Sequence, residues 1–310
     1  MQKQPAAGGA SDRQSSDKPA STVPPPSRRG SSLWRLGRSV GFIYIAVLAA
    51  MFVLQRKLQY FPHRSEATIP PGARYRDVQD LDLVASDGVR LKAWYWRGSK
   101  PTTVVLFHGN AGHREHRLPW LDRFHDEGYS VFALDYRGYG GSEGSPTEVG
   151  LLADARAALD WLKSAGITEH VYFGESIGCG VAVKIAAERP PRALVLQSAF
   201  SSAADIAQRQ YWFLPVKILM LDRFDCLESV KKISAPLLAI HGESDRTIPI
   251  DLGRRLFESA PGPKEWLAVP GADHNDFPFV DARRYWQTIF RFLDRLERKE
   301  DVRPEAPKSG

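Results

Sequence analysis

Cysteine is almost absent from this chain: among 310 residues, thiols occur at Cys179 and Cys226 alone. Two cysteines cannot build a disulfide framework, and their spacing fits no metal-binding pattern. Large apolar side chains are almost missing from the first 32 residues, where Ser, Pro, Gly, Gln and Ala dominate and Pro24, Pro25 and Pro26 form a run. Such a stretch cannot bury enough surface to fold, so residues 1–32 are expected to form a disordered tail. A basic stripe with interleaved aromatics is lacking too. The formal charge of +6 and the pI near 9.3 come from residues spread along the chain, often beside Asp or Glu, which argues against a nucleic-acid partner. The excess suits an anionic membrane surface instead.

Charge is also absent from residues 39–55, S-V-G-F-I-Y-I-A-V-L-A-A-M-F-V-L-Q, which Trp34, Arg35 and Arg38 precede and Arg56, Lys57, Tyr60 and Phe61 follow. As a helix this run covers about 25 Å, slightly short of a hydrocarbon core of about 30 Å, and the flanking arginines and aromatics can supply the remainder. A cleaved signal peptide would have a short polar start, whereas more than thirty residues lie ahead of this run. A buried amphipathic helix would show polar residues at helical spacing, and there are none. A single uncleaved anchor over 33–61 is the expectation. The flanking positive charges are nearly balanced and leave its orientation open.

From Tyr75 onward, short β-rich runs alternate with helical patterns. Residues 89–96, V-R-L-K-A-W-Y-W, alternate with period two, as a strand wet on one face does; 103–107 and 131–134 are continuous apolar runs, as in strands buried on both faces. Further strands are expected at 171–174, 193–196, 237–240 and 265–269, with a helix over 149–163. Antiparallel strands followed by β-α repeats indicate a mostly parallel sheet covered by helices on both faces, filling 62–298 as one catalytic domain. A charged tail, 299–310, follows.

The chemistry gathers at the ends of these strands. G-E-S-I-G, residues 174–178, follows a strand and opens a helical run, the setting of a nucleophile elbow in which a turn too tight for side chains thrusts Ser176 into the open. Upstream, F-H-G-N-A-G at 107–112 ends a buried strand. Its loop is placed to give one backbone N–H to an oxyanion, from Asn110 or alternatively Ala111, while Ile177 after the nucleophile gives the other. His108, directly at the strand end, reads as structural. Downstream, Asp245 in H-G-E-S-D-R-T-I-P and His274 in P-G-A-D-H-N-D-F each lie just past a strand. The order Ser, Asp, His suits this fold. Asp205 is the rival acid; Asp273 is poorly placed because successive side chains diverge. His113 and His116 are three apart but have no third ligand at matching spacing, so no metal is assigned. Cys179 reads as a small core residue and D-Y-R-G-Y-G, 135–140, as a structural turn.

F-H-G-N-A-G, H-R-L-P, L-D-Y-R-G-Y-G-G-S-E-G, G-E-S-I-G, H-G-E-S-D-x-x-I-P and D-H-N-D, taken in order over about residues 40–295, resemble the Bem-type, N-terminally anchored α/β-hydrolases with a serine aminopeptidase-like hydrolase domain. The resemblance implies an α/β-hydrolase fold, Ser176, Asp245 and His274 as a triad, and no cofactor. Relatives of that group include depalmitoylating thioesterases, but the N-terminal cysteine cluster of that branch is lacking here. Between the strands ending near Ser198 and starting near Leu237 lies an insertion whose segment 211–221, Y-W-F-L-P-V-K-I-L-M-L, is apolar at ten of eleven positions. It is expected to form a small lid contributing an acyl pocket or touching lipid, or a helix packed on the domain. The expected activity is hydrolysis of carboxylic esters of acylated small molecules or lipids at a membrane. Thioester or peptide hydrolysis, and a non-catalytic interaction module on the same fold, are the alternatives.

Overall fold

A computed structural model of the chain describes residues 29–298. The expected tail, up to residue 28, and the expected charged C-terminal tail lie outside the described residues. Residues 29–32 do not continue that tail but open a helix.

The helices are α1 (Arg29–Gln59), α2 (Leu118–Asp126), α3 (Glu148–Ser164), α4 (Ile177–Glu188), α5 (Ala203–Gln210), α6 (Val216–Leu219), α7 (Leu227–Val230), α8 (Ile250–Ser259), α9 (Phe277–Val280) and α10 (Ala282–Glu297). The strands are β1 (Phe61–Pro62), β2 (Val78–Val84), β3 (Arg90–Trp96), β4 (Thr103–Phe107), β5 (Ala111–Gly112), β6 (Ser130–Asp135), β7 (His170–Glu175), β8 (Leu194–Gln197), β9 (Leu237–Gly242) and β10 (Lys264–Val269). Eight strands form one sheet in the order β10-β9-β8-β7-β4-β6-β3-β2, antiparallel where β2 meets β3 and β3 meets β6, and parallel from β6 to β10. This is the α/β-hydrolase architecture. The carboxyl ends of β4, β7, β9 and β10 therefore reach the same sheet edge, where the loops of such folds carry their chemistry.

Alternation along the strands builds two cores from one sheet. Val105 and Phe107 of β4 pack into the layer shared with Ala155 of α3 and Val181 of α4. Their neighbours Val104 and Leu106 face the opposite layer, with Phe124 of α2 and Ile289 and Phe292 of α10. The continuous apolar runs of the sequence are explained by this double burial. Each fully buried Leu, Val or Phe contributes about 1.5–3 kcal/mol of transfer free energy. D-Y-R-G-Y-G is a buried turn: Asp135 pairs with Arg114, and Arg137 pairs with Asp154 at 2.7 Å.

Two compact units divide at residues 47 and 48. The described part of the first is the helical stretch from residue 29 to 47, in which the Arg38 guanidinium lies 4.5 Å over the Trp34 ring. The second begins at Leu48. The expected boundary between anchor and catalytic domain, at 61/62, therefore falls inside the second unit. Polar groups account for the difference: Arg56 bonds the buried Asp222 at 2.8 Å, Gln59 donates to the Asp222 carbonyl at 3.0 Å, and β1 pairs with β5. Tyr60 is buried among them.

A chain beginning at Leu48 is expected to keep the wild-type unfolding temperature in detergent. One beginning at residue 65 loses Tyr60 and the partners of Asp222, about 2–3 kcal/mol, so its Tm should fall by about 4–12 °C. Thermal unfolding of the two truncated proteins, followed by circular dichroism, checks this; equal Tm values would contradict it.

Candidate active site

Ser176 sits between β7 and α4 with φ 53° and ψ −120°, a left-handed conformation that costs a non-glycine residue about 1–3 kcal/mol. The turn is held by Ser176 N–H donating to Gln197 O at 2.9 Å and Cys179 N–H donating to Ser176 O at 2.8 Å. The glycines on either side are required by contact. A Cβ at Gly174 would lie 2.8 Å from Cys179 Cα, and one at Gly178 would overlap the Phe107 carbonyl. Cys179 is a core residue, its thiol against Gly174 O and Gln197 O, with burial pushing its pKa far up.

His274 Nε2 lies 3.0 Å from Ser176 Oγ, and His274 Nδ1 lies 2.9 Å from Asp245 Oδ2. The other carboxylate oxygen of Asp245 accepts the N–H groups of Thr247 at 2.9 Å and Ile248 at 2.7 Å. Burial works to raise the Asp245 carboxyl, but the hydrogen bond from His274 and the Ile248 N–H outweigh it and hold it below the ordinary carboxylate range. An ionised carboxylate only accepts. The proton of a neutral His274 therefore rests on Nδ1, and the lone pair of Nε2 faces the serine hydroxyl. His241, which sequence reasoning passed over, donates to Ile248 O at 2.8 Å and stands 3.5 Å from Asp245 Oδ2. Its position four residues before Asp245 in H-G-E-S-D was the available signal.

The loop after β4 is fixed from three sides. Phe61 N–H and the Tyr139 hydroxyl donate to Asn110 O at 2.9 and 3.0 Å, and the Asn110 side chain donates to Gln59 O at 3.2 Å. Glu175, beside the serine, takes a two-pronged ion pair from Arg117, 2.9 Å to each oxygen, and Arg117 also donates to Ala111 O. One partly buried charge pair thus couples the elbow to the loop, a link with no local sequence signature. His108 is fully buried, its Nδ1 2.7 Å from Gly109 O, and burial lowers its pKa to about 3, so it stays neutral and structural.

Asn110, Ser176 and Ile177 line a cleft of about 690 Å³. Ile177 heads α4, so its N–H is one that the helix leaves without an intrahelical partner. Ala111, the alternative, belongs to the β1–β5 pairing. The remaining walls come from the insertion and from α1, through Leu48, Met51 and Phe52. That contribution of α1 was not expected from the sequence.

The rival acids are occupied elsewhere. Asp205 takes Ser201 Oγ at 2.6 Å and pairs with Lys217 at 2.7 Å. Asp273 accepts the N–H groups of Arg246 and His274 at 3.0 and 2.8 Å and the Arg246 side chain at 2.7 Å, which lower its pKa to about 2. His63 joins His113 and His116, with one ring nitrogen from each within 4.8 Å of the others, the set among the described residues that could hold a metal ion. His116 Nδ1 accepts the His113 N–H at 3.1 Å.

The serine aminopeptidase, S33 family matches residues 98–224. The protein bem46 of Schizosaccharomyces pombe is 31% identical, over 81% of this chain and 89% of its own. Lysophosphatidylserine lipase ABHD12 of Danio rerio is 30% identical, over 75% of each chain. An esterase of Pyrococcus furiosus superposes with a TM-score of 0.63 at 21% identity, covering 77% of this chain and 98% of that one, a likeness of fold.

Because the Asp273 pKa is depressed, the stabilisation it gives is complete above its unfolded value, near 4, and is lost as pH falls through the folded one. The difference in Tm between wild type and Asp273→Asn should be full at about pH 6 and should close between about pH 4 and pH 2. A gap independent of pH, in melting curves across that range, would contradict the assignment.

Proposed function

Because the chain belongs to the Bem46-type family of α/β-hydrolases, we propose that it is a membrane-anchored serine hydrolase that cleaves carboxylic esters of medium or long acyl chains. What carries the reading is the chain of contacts from Asp245 to His274 to Ser176, 2.9 and 3.0 Å, at the side of a large and mostly apolar cleft. In the proposed mechanism Ser176 Oγ attacks the acyl carbon while His274 Nε2 takes its proton. Asp245 holds the imidazole tautomer and stabilises its cation. The backbone N–H groups of Asn110 and Ile177 receive the developing oxyanion, a contribution worth about two to three orders of magnitude per donor. The alcohol leaves with the proton from His274. Water, deprotonated by the same imidazole, then releases the acid and restores Ser176.

The apolar walls favour an acyl chain over a peptide, and one relative is a lysophosphatidylserine lipase, which supports a lipid ester. Thioesters come second and peptides third. No cofactor is required. The helix from Trp34 to Gln59 is long and apolar enough to cross a membrane, its 26 residues spanning about 39 Å, and we assign it as the anchor.

Ser176→Ala should abolish labelling by a fluorophosphonate without loss of fold; persistent labelling of the folded variant would move the nucleophile elsewhere. Asp245→Asn should lower kcat by about three to four orders of magnitude, whereas Asp205→Asn should change it less than about tenfold. Along a series of p-nitrophenyl esters, kcat/KM should rise by about fourfold per added methylene, about 0.8 kcal/mol each, until the cleft is full. A preference for the acetyl ester would contradict the acyl-chain reading.

A further inference from the structure

The insertion is apolar on two sides, and only one of them is used by the cleft. Tyr211, Leu214, Val216 and Leu219 line the cleft, while Trp212, Ile218 and Leu221 point away from it and are 79%, 83% and 50% exposed. A roof over a pocket needs one apolar face. Large side chains left in water on the second face forfeit the gain that burial would give them, so their presence marks a surface made for an apolar neighbour.

Hydrogen bonds fix where this face sits. Gln55 donates to Leu219 O at 3.4 Å and accepts from Leu221 N–H at 2.7 Å, and Arg56 and Gln59 hold Asp222. Gln55, Arg56 and Lys57 form the first polar turn after the apolar run of α1, the level at which a membrane helix leaves the hydrocarbon and long cations reach headgroup phosphates. The insertion is tied to that level. Leu48, Met51 and Phe52, which wall the cleft, lie up to seven residues back from Gln55, about 10 Å of helix into the apolar run. The cleft wall thus extends from the polar turn into the segment that the hydrocarbon would surround.

We propose that Trp212, Ile218 and Leu221 insert into the membrane leaflet at the point where α1 leaves it, so that the cleft opens sideways into the bilayer and takes its acyl-chain substrate from the lipid phase. The occupant of the second apolar face is the bilayer itself. The proposal rests on the reading of α1 as an anchor and of the cleft as an acyl site, and it adds the route by which substrate arrives.

The test uses the full chain in vesicles of phosphatidylcholine and phosphatidylglycerol. Ile218→Cys carries an environment-sensitive fluorophore; Cys179 and Cys226 are buried and stay unlabelled. The probe should shift to the blue and be quenched by lipids brominated on their acyl chains. The double variant Trp212→Ser with Ile218→Ser should lose at least about tenfold in kcat/KM on a long-chain lysophospholipid in vesicles, while its hydrolysis of soluble p-nitrophenyl butyrate stays within about twofold of wild type. A carbonate-resistant chain whose probe is quenched by aqueous iodide and not by brominated lipid overturns the insertion while leaving the anchor intact. Cross-linking of two chains through position 218 without lipid quenching overturns it in favour of a second copy. Equal losses on both substrates overturn the route and make the insertion part of the chemistry. Release of the full chain by carbonate removes the anchor and this proposal with it, whereas unchanged labelling of Ser176 would keep the hydrolase reading standing.

Discussion

The close approach of α4 to the end of β4 governs the rest of the site. Gly178 brings the helix so near the Phe107 carbonyl that no side chain fits, and Gly174 makes the matching approach from the strand before it. Between these two contacts Ser176 has no room for an ordinary backbone conformation and is forced to φ 53°. The strain persists because the surroundings over-determine it. Gln197 holds the peptide, the parallel pairing of β7 with β4 and β8 holds the strand, and the Glu175–Arg117 pair holds the turn against the loop that carries Asn110. The proposed nucleophile and the proposed oxyanion loop are thereby parts of one rigid arrangement, as electrostatic stabilisation of a transition state demands.

A second constraint is the dual use of α1. Its final turns form part of the folded unit: Arg56 and Gln59 anchor Asp222, Tyr60 enters the core, and Phe61–Pro62 pair with Ala111–Gly112. The same turns wall the cleft. The helix proposed to reach the membrane thus also supplies, through its last turns, a wall of the proposed acyl site. The short β1–β5 pairing carries this coupling to the loop of Asn110, through Phe61 N–H on the Asn110 carbonyl.

The strands and the elbow were legible in the sequence because their causes are local. Continuous apolar runs such as 103–107 suit strands buried on both faces, and the observed Thr103–Phe107 matches that reading. G-E-S-I-G announces its turn through two glycines. Other parts had no local cause. β2, V-Q-D-L-D-L-V, exists as a strand because β3 offers it an edge. The choice of Asp245 over Asp205 as the residue beside His274 depends on which loop the sheet order brings there; Asp205 is instead held by Ser201 and Lys217 within the insertion. His63 meets His113 and His116 only because the chain returns past β5, and no spacing rule spans that separation.

The boundary between what sequence and fold each decide is visible within α1 and the insertion. The sequence by itself determined that residues 39–55 form an uncharged apolar helix, that Ser176, Asp245 and His274 follow strands in the order this architecture uses, and that 211–221 is too apolar for an ordinary loop. These properties depend on side-chain chemistry and short-range spacing, which a linear chain displays. The tertiary structure alone decided that the second compact unit begins at Leu48, that Arg117 ties the elbow to the loop carrying Asn110, and that the insertion turns one apolar face to the cleft and another outward. Each of these is a contact between segments far apart in the chain, and such contacts follow from the order of strands in the sheet, which periodicity does not encode.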